Sequence, residues 1–218
     1  MSEPTTGLDR AAGLASLRRT PQQARSRARL ARVLETAERV LIDEGTGALT
    51  TTRIAAEAKV SVGSLYQYLP DRGAIIEALA AGYFAKLEAT TDALAEAATA
   101  ERWEDPVGVL VDAYAEIYRT EHGFRALWFG SGLTERTRAA DRAHKRRMAD
   151  GIRRVLLALD VPLPRDDEAV ARACHAAVLA ADALAQEAFR RDPQGDAALL
   201  DEAKTMLRGY LTALTARS

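Results

Sequence analysis

The chain has 218 residues, 48% of them hydrophobic and 28% charged, an ordinary balance for a globular protein. No uninterrupted apolar run approaches the roughly 18–20 residues of a membrane-spanning helix, the N-terminal stretch lacks the apolar segment of a secretory signal, and no membrane partner is expected. The single cysteine, Cys174, excludes an intramolecular disulfide framework and fits a reducing cytoplasm, where the protein is expected to reside.

Net charge is −1, but it divides unevenly. Residues 1–72 carry 11 basic and 8 acidic side chains, net +3, and residues 73–218 carry 19 and 23, net −4. Arg18, Arg19, Arg25, Arg27, Arg29 and Arg32 have no acid among them. A basic head on an acidic body orients a molecule toward a phosphate backbone. A solvated charge run is the competing reading.

In chain order, residues 1–20 hold Gly, Ser, Thr and Pro without an apolar period, which predicts a disordered basic arm. Pro21 suits the first turn of a helix running to Glu44. Leu30, Val33, Leu34, Ala37 and Leu41 make one buried stripe along it, and Gly45-Thr46-Gly47 stops it. Thr50 or Thr51 can N-cap the next short helix, whose buried face is Ile54, Ala55 and Ala58. Lys59-Val60-Ser61 makes a turn, and Ser61 caps a second short helix over Val62–Leu69 with Leu65 and Leu69 inward. Val62, Gly63, Ser64, Tyr66, Gln67 and Tyr68 then form a face too polar for a core. Two short helices at a steep angle, the second presenting such a face, predict a helix-turn-helix DNA reader.

The pattern T-x-x-x-I-A-x-x-A-x-V-S-x-G-x-L-Y-x-Y-[FL]-x-x-[KR] matches at Thr50, Ile54, Ala55, Ala58, Val60, Ser61, Gly63, Leu65, Tyr66, Tyr68, Leu69 and Arg72. It resembles the DNA-binding domain of TetR/AcrR-family transcriptional regulators, over roughly Arg25 to Leu79. Two positions depart from that pattern. Lys59 stands where the family usually has glycine, so the turn must tolerate a side chain and gains a cation. Gly73 stands where an acidic residue is common.

Side-chain chemistry assigns the face. Gly63 lets the helix backbone approach a groove, Val62 offers methyl groups to a thymine methyl, and Gln67 can read a base edge or reach a phosphate. Ser61 and Ser64 add hydroxyls. The resemblance implies phosphate contacts from Tyr66, Tyr68, Thr50, Thr52 and Arg72; Lys59 and Arg25 are added as nearby cations. The competing reading is a helical hairpin that merely packs, most tenable for Tyr68, whose ring is expected on Ile54.

Pro70-Asp71 breaks the chain and caps a long helix to about Ala98, the physical link between head and body. Further helices are expected from Pro106, with Val107, Leu110, Val111, Tyr114 and Tyr118 in period, and over Glu121–Phe129, closed by Gly130-Ser131-Gly132. Others follow from Thr134-Glu135 to the Val161–Pro164 break, over Glu168–Arg191, and through Leu199 to Leu214 after the Asp192–Gly195 turn. No strand or repeat is evident.

One recognition helix reads few base pairs, so specific binding calls for two heads, and the last two helices are the expected homodimer face. Cys174, Ala177, Val178, Ala181 and Ala185 form the seam of one, and Met206, Leu207, Tyr210 and Leu214 the seam of the other. The alternative places these stripes in the monomer core. Trp103, Tyr114, Tyr118, Phe124, Trp128, Phe129 and His144 suit the lining of a ligand cavity, where the resemblance implies a small effector; a mostly apolar one fits. Such stripes also build ordinary cores.

No catalytic set, metal site, cofactor or phosphate loop is expected. Cys174 and His175 are adjacent on a helix and do not face each other, and the basic run Arg136–Arg154 reads as a solvated helix face. The expectation is an all-α protein. It has a helix-turn-helix DNA-binding domain over 21–76 and a ligand-binding and dimerisation bundle over 77–218. Its expected function is that of a ligand-responsive repressor of a palindromic double-stranded operator. An activator, a corepressor-dependent repressor, or a helical small-molecule binder or enzyme without DNA binding are the alternatives.

Overall fold

The computed structural model describes residues 24–217. The arm expected over 1–20 and the helix start expected at Pro21 lie outside them. The described chain is helical, with no strand. In order, α1 spans Ala24–Glu44, a 3-10 turn Thr46–Ala48, α2 Thr51–Glu57, α3 Val62–Tyr66 and α4 Arg72–Ala100. Then come α5 Pro106–Thr120, α6 His122–Phe129, α7 Glu135–Ala158, α8 Asp167–Arg191 and α9 Ala197–Thr215. Among the described residues two compact units result: one takes 24–86 together with 120–141, the other 87–119 and 142–217.

In the first unit, Leu30, Val33, Leu34, Ala37 and Leu41 of α1 are buried as their spacing predicts, joined by Val40. In the same unit Ile54 and Ala55 of α2, Leu65 and Leu69, and Ile75, Ile76 and Leu79 of α4 are buried as well. Gly45, at φ 80°, ends α1 in a conformation open to glycine, and its N–H bonds back to the Leu41 carbonyl. Helix α6 belongs to this unit. Its Phe124 and Trp128 pack edge-on against Tyr83 and Phe84 of α4 and tilt against each other, centroids 4.7 Å apart. Tyr83 donates to Glu38 of α1 at 2.7 Å, and burial drives its phenol pKa far upward. Gly123 sits against that hydroxyl, leaving no room for a Cβ. Lys86 pairs with Glu121, a carboxylate 3% exposed. The buried Thr46 hydroxyl donates to the Ser131 carbonyl, so the loop after α6 is tied to the turn before α2.

In the second unit, Ala149 and Leu156 of α7 pack against Val170 and Cys174 of α8, while Ala98, Leu110 and Val155 form a second cluster with Trp103 and Tyr114 at its edge. Asp105 accepts two guanidinium N–H bonds from Arg208 of α9, which hold its carboxyl below the usual range. Asp160, at φ 55°, closes α7: its own N–H reaches the Leu157 carbonyl and the Val161 N–H reaches that of Leu156, before the expected proline break.

The residues of the expected dimer seam differ in their burial within the single chain. Cys174, Leu207 and Leu214 are buried within the single chain, because α8 and α9 pack on each other and, for Cys174, on α7. Burial also raises the Cys174 thiol pKa. Ala177, Val178, Ala181 and Ala185 are half-buried, and Val178 packs on the Cys174 cluster. The large apolar side chains that stay exposed on these helices are Leu179, Met206 and Tyr210.

Candidate nucleic-acid interface

Helix α2 begins where the sequence places it. The Thr50 hydroxyl accepts the Arg53 N–H at 3.3 Å, so Thr50 is the cap and Thr51 the first helical residue. After Ala58 the N–H of Val60 returns to the Ala55 carbonyl and that of Lys59 to Ala56, a Schellman closure. Its left-handed position is held by Lys59 at φ 55°, where glycine would be unstrained. A Lys59→Gly variant is therefore expected to gain about 0.5–1 kcal/mol in thermal denaturation. It should also bind DNA more weakly, with a salt-dependence slope lower by about one.

Ser61 opens α3: its hydroxyl accepts the Ser64 N–H at 3.2 Å and donates to the Ser64 hydroxyl at 2.7 Å. The helix is shorter than expected, Val62–Tyr66 rather than Val62–Leu69. Gln67 and Tyr68 form a closing turn in which the N–H groups of Tyr68 and Leu69 share the Leu65 carbonyl. Pro70 disfavours helical backbone at Leu69, which accounts for the early stop. Leu65 and Leu69 are buried nevertheless.

On the opposite side, Ser61, Gly63, Tyr66 and Gln67 are exposed, with Val62 and Ser64 half-buried. An added Cβ at Gly63 would meet nothing within 4 Å, so the fold itself does not require glycine there. Tyr68 is half-buried and lines a small cleft with Leu30, Val33, Val60 and Arg29. Thr50, Thr52 and Lys59 on α2 and its turn are exposed, as is Arg72 at the start of α4, where Asp71 caps the Ala74 N–H at 2.8 Å. Arg25, Arg27, Arg29 and Arg32 are exposed on α1 and form no ion pair among the described residues. Arg53 behaves differently: it grips Glu44 and Glu57, whose carboxylates its hydrogen bonds hold below their usual range. It braces α2 to the end of α1. Thr51, read from the sequence only as a possible cap, is buried in the middle of a threonine run, and its hydroxyl meets that of Tyr66 at 3.3 Å.

The residues read as a ligand lining divide between the two units. In the first, Phe124 and Trp128 are buried in the aromatic cluster on α4, and Phe129 is half-buried. In the second, Tyr114 shares a 2.6 Å hydrogen bond with Thr91, and burial pushes its phenol pKa up to about 12. Buried His144 bonds through Nδ1 to Glu88 at 2.7 Å, and Arg147 meets the same carboxylate. Tyr118 stacks on Phe189 at 4.9 Å and donates to Asp182, which Lys145 also contacts. Trp103 is half-buried beside Leu110 and Val155. Among the described residues no three His, Cys, Asp or Glu side chains converge as a metal site, and no helix is long and apolar enough to cross a membrane.

Comparison with known proteins agrees with this geometry. The family profile described as bacterial regulatory proteins, tetR family, matches residues 33–79, and that of the tetracyclin repressor-like C-terminal domain matches residues 101–215. No curated protein matches the sequence. A TetR-family transcriptional regulator from Streptomyces coelicolor is 28% identical, with a TM-score of 0.64 over 85% of this chain and 99% of its own. NalD, the secondary repressor of the MexAB-OprM multidrug efflux pump in Pseudomonas aeruginosa, shares the fold at 17% identity and TM-score 0.51, over 84% and 97% of the two chains. SmeT, solved as a triclosan complex, does so at 19% and 0.51, over 82% and 91%. With a profile covering more than half of its length and a helix-turn-helix at its head, this chain belongs to the tetR family of bacterial regulatory proteins and is a DNA-binding transcriptional regulator, not an enzyme.

Proposed function

We propose that the chain is a cytoplasmic repressor that binds a palindromic operator as a homodimer and releases it when a small, mostly apolar effector enters the body. The supporting observation is the face of α3, where Gly63, Tyr66 and Gln67 are exposed around a glycine the fold does not need. Val62 and Gln67 read base edges, and Gly63 admits the backbone to the major groove. Ser61, Ser64, Tyr66, Tyr68, Thr50 and Thr52 address phosphates and sugars, as do the cations Arg25, Lys59 and Arg72. DNA binding is assigned to residues 21–76, and effector binding and dimerisation to 77–218.

The dimer face is assigned to the exposed apolar side of α8 and α9, with Leu179, Met206 and Tyr210 as its anchors. The effector is assigned to the second unit, with Tyr114, Tyr118, Trp103 and His144 as its contacts; Phe124, Trp128 and Phe129 belong to the first unit. Triclosan bound to SmeT, a protein of the same fold, supports an effector of mostly apolar character. Differential affinity for the DNA-bound and free states is what lets such a ligand release the operator.

The test is a salt-titrated gel shift on duplex from the protein's own upstream region, with light scattering of the free protein. Sequence-specific, salt-sensitive binding by a dimer is expected. Met206→Glu should give a monomer with operator affinity lower by about a hundredfold or more, since the second head no longer adds avidity. A dimeric Met206→Glu protein would move the interface elsewhere. Absence of specific binding by the parent chain would refute the repressor reading.

A further inference from the structure

We propose that Thr51 is a positioning residue for DNA recognition, holding the Tyr66 hydroxyl so that its proton is free for a phosphate. The proposal rests on the reading of Tyr66 as a phosphate contact. Three threonines stand in a row at the start of α2, and their surroundings differ. Thr50 caps the helix and Thr52 is exposed, whereas Thr51 is 7% exposed.

A threonine inside a helix commonly returns its hydroxyl proton to the carbonyl four residues back. Thr51 is the first residue of its helix, so no earlier turn of α2 supplies that carbonyl. Its hydroxyl donates instead across the motif to the Tyr66 oxygen at 3.3 Å. A phenol has one proton and further acceptor capacity. By accepting from Thr51, Tyr66 directs its own proton away from the protein, and being a hydrogen-bond acceptor polarises that proton for donation. Tyr66 is otherwise nearly half exposed, so its ring has little packing of its own to fix its direction.

The same bond ties the first residue of α2 to the last residue of α3. The Schellman turn at Lys59 joins the other ends of these two helices. The angle at which α3 is presented is thus set at both ends, once through the backbone and once through these two side chains. A helix of five residues has little stiffness of its own, which makes the second tether matter.

The test uses the full-length protein and the tightest duplex that the parent selects from a random pool. Thr51→Val keeps the shape and removes the donor. It is expected to bind about three- to tenfold more weakly, with the parental melting temperature. The salt-dependence slope should also be unchanged, because no cation is lost. Thr51→Ser restores the hydroxyl and should restore affinity. Tyr66→Phe should weaken binding similarly, and the double variant should be no worse than Tyr66→Phe alone.

Parental affinity in Thr51→Val, or losses that simply add in the double variant, would overturn the proposal. An unaffected Tyr66→Phe would remove the phosphate role of Tyr66 and this proposal with it. Specific binding by the parent would still stand, so the two failures are distinguishable. Should Thr51→Val not fold, Thr51→Cys, similar in volume with only a weak donor, takes its place with the same expected loss.

Discussion

A Gly63→Leu variant is expected to fold at least as stably as the parent and to bind operator about a hundredfold more weakly or not at all. The first half follows from the free protein. An added Cβ at Gly63 meets nothing within 4 Å, and the backbone there is not left-handed. Replacing helical glycine removes its entropic disadvantage, worth up to about 1 kcal/mol in favour of the variant. The second half follows from what faces that empty space. With Tyr66 and Gln67 exposed on the same side, the proposed interface assigns that space to DNA, where a branched side chain would hold the α3 backbone off the groove. Good base contacts contribute about 1–3 kcal/mol each, so separating the whole face forfeits more than one of them. Gly63→Ala should fall between, about tenfold weaker, again within the ~1–3 kcal/mol of a base contact. Fluorescence anisotropy on labelled operator and a thermal melt measure the two halves separately. Parental affinity in Gly63→Leu would mean that α3 does not enter the groove by this face.

The largest expected loss of stability lies at Lys86. Its ammonium faces Glu121, whose side chain is 3% exposed, while Lys86 itself keeps 24%. Removing one partner of a buried pair typically costs about 3–5 kcal/mol, because the remaining charge is stranded. The partial exposure of Lys86 lets water reach the site and brings Lys86→Met toward ~2–3 kcal/mol. Lys86→Met with Glu121→Leu should recover most of that loss, since an apolar pair of similar size needs no counter-charge. Urea denaturation at fixed protomer concentration reads both variants. A Lys86→Met protein within about 0.5 kcal/mol of the parent would show that the pair is adequately solvated.

The consequence reaches the DNA-binding head. Glu121 precedes α6, whose Gly123 abuts the Tyr83 hydroxyl that donates to Glu38 on α1. Thr46, just before α2, is bonded to the loop after α6. One compact unit therefore contains both the reading helices and a segment some fifty residues downstream of them.

Much of this was legible because it is local. The α1 stripe repeats at helical spacing, and its members are buried. Thr50, Ser61 and Asp71 cap the helices they precede, since a short oxygen side chain before an apolar run has few better partners than orphan N–H groups. The exposed side of α3 could be read because Gly, Ser, Tyr and Gln together are poor core residues. The early end of α3 was equally local in origin, but the four-residue spacing of Leu65 and Leu69 concealed it. A turn buries both leucines as well as a helix does.

What the tertiary structure alone decided involves residues far apart in sequence. Periodicity shows that a helix has an apolar side without saying whether it faces its own chain or a second copy. Cys174, Leu207 and Leu214 accordingly fell inward, leaving Leu179, Met206 and Tyr210 exposed. The pairs Lys86–Glu121, Tyr83–Glu38 and Thr51–Tyr66 have no local signature. Each half looks like any surface polar residue until folding removes water from around it. Only then does an unpaired polar group become costly enough to select its partner.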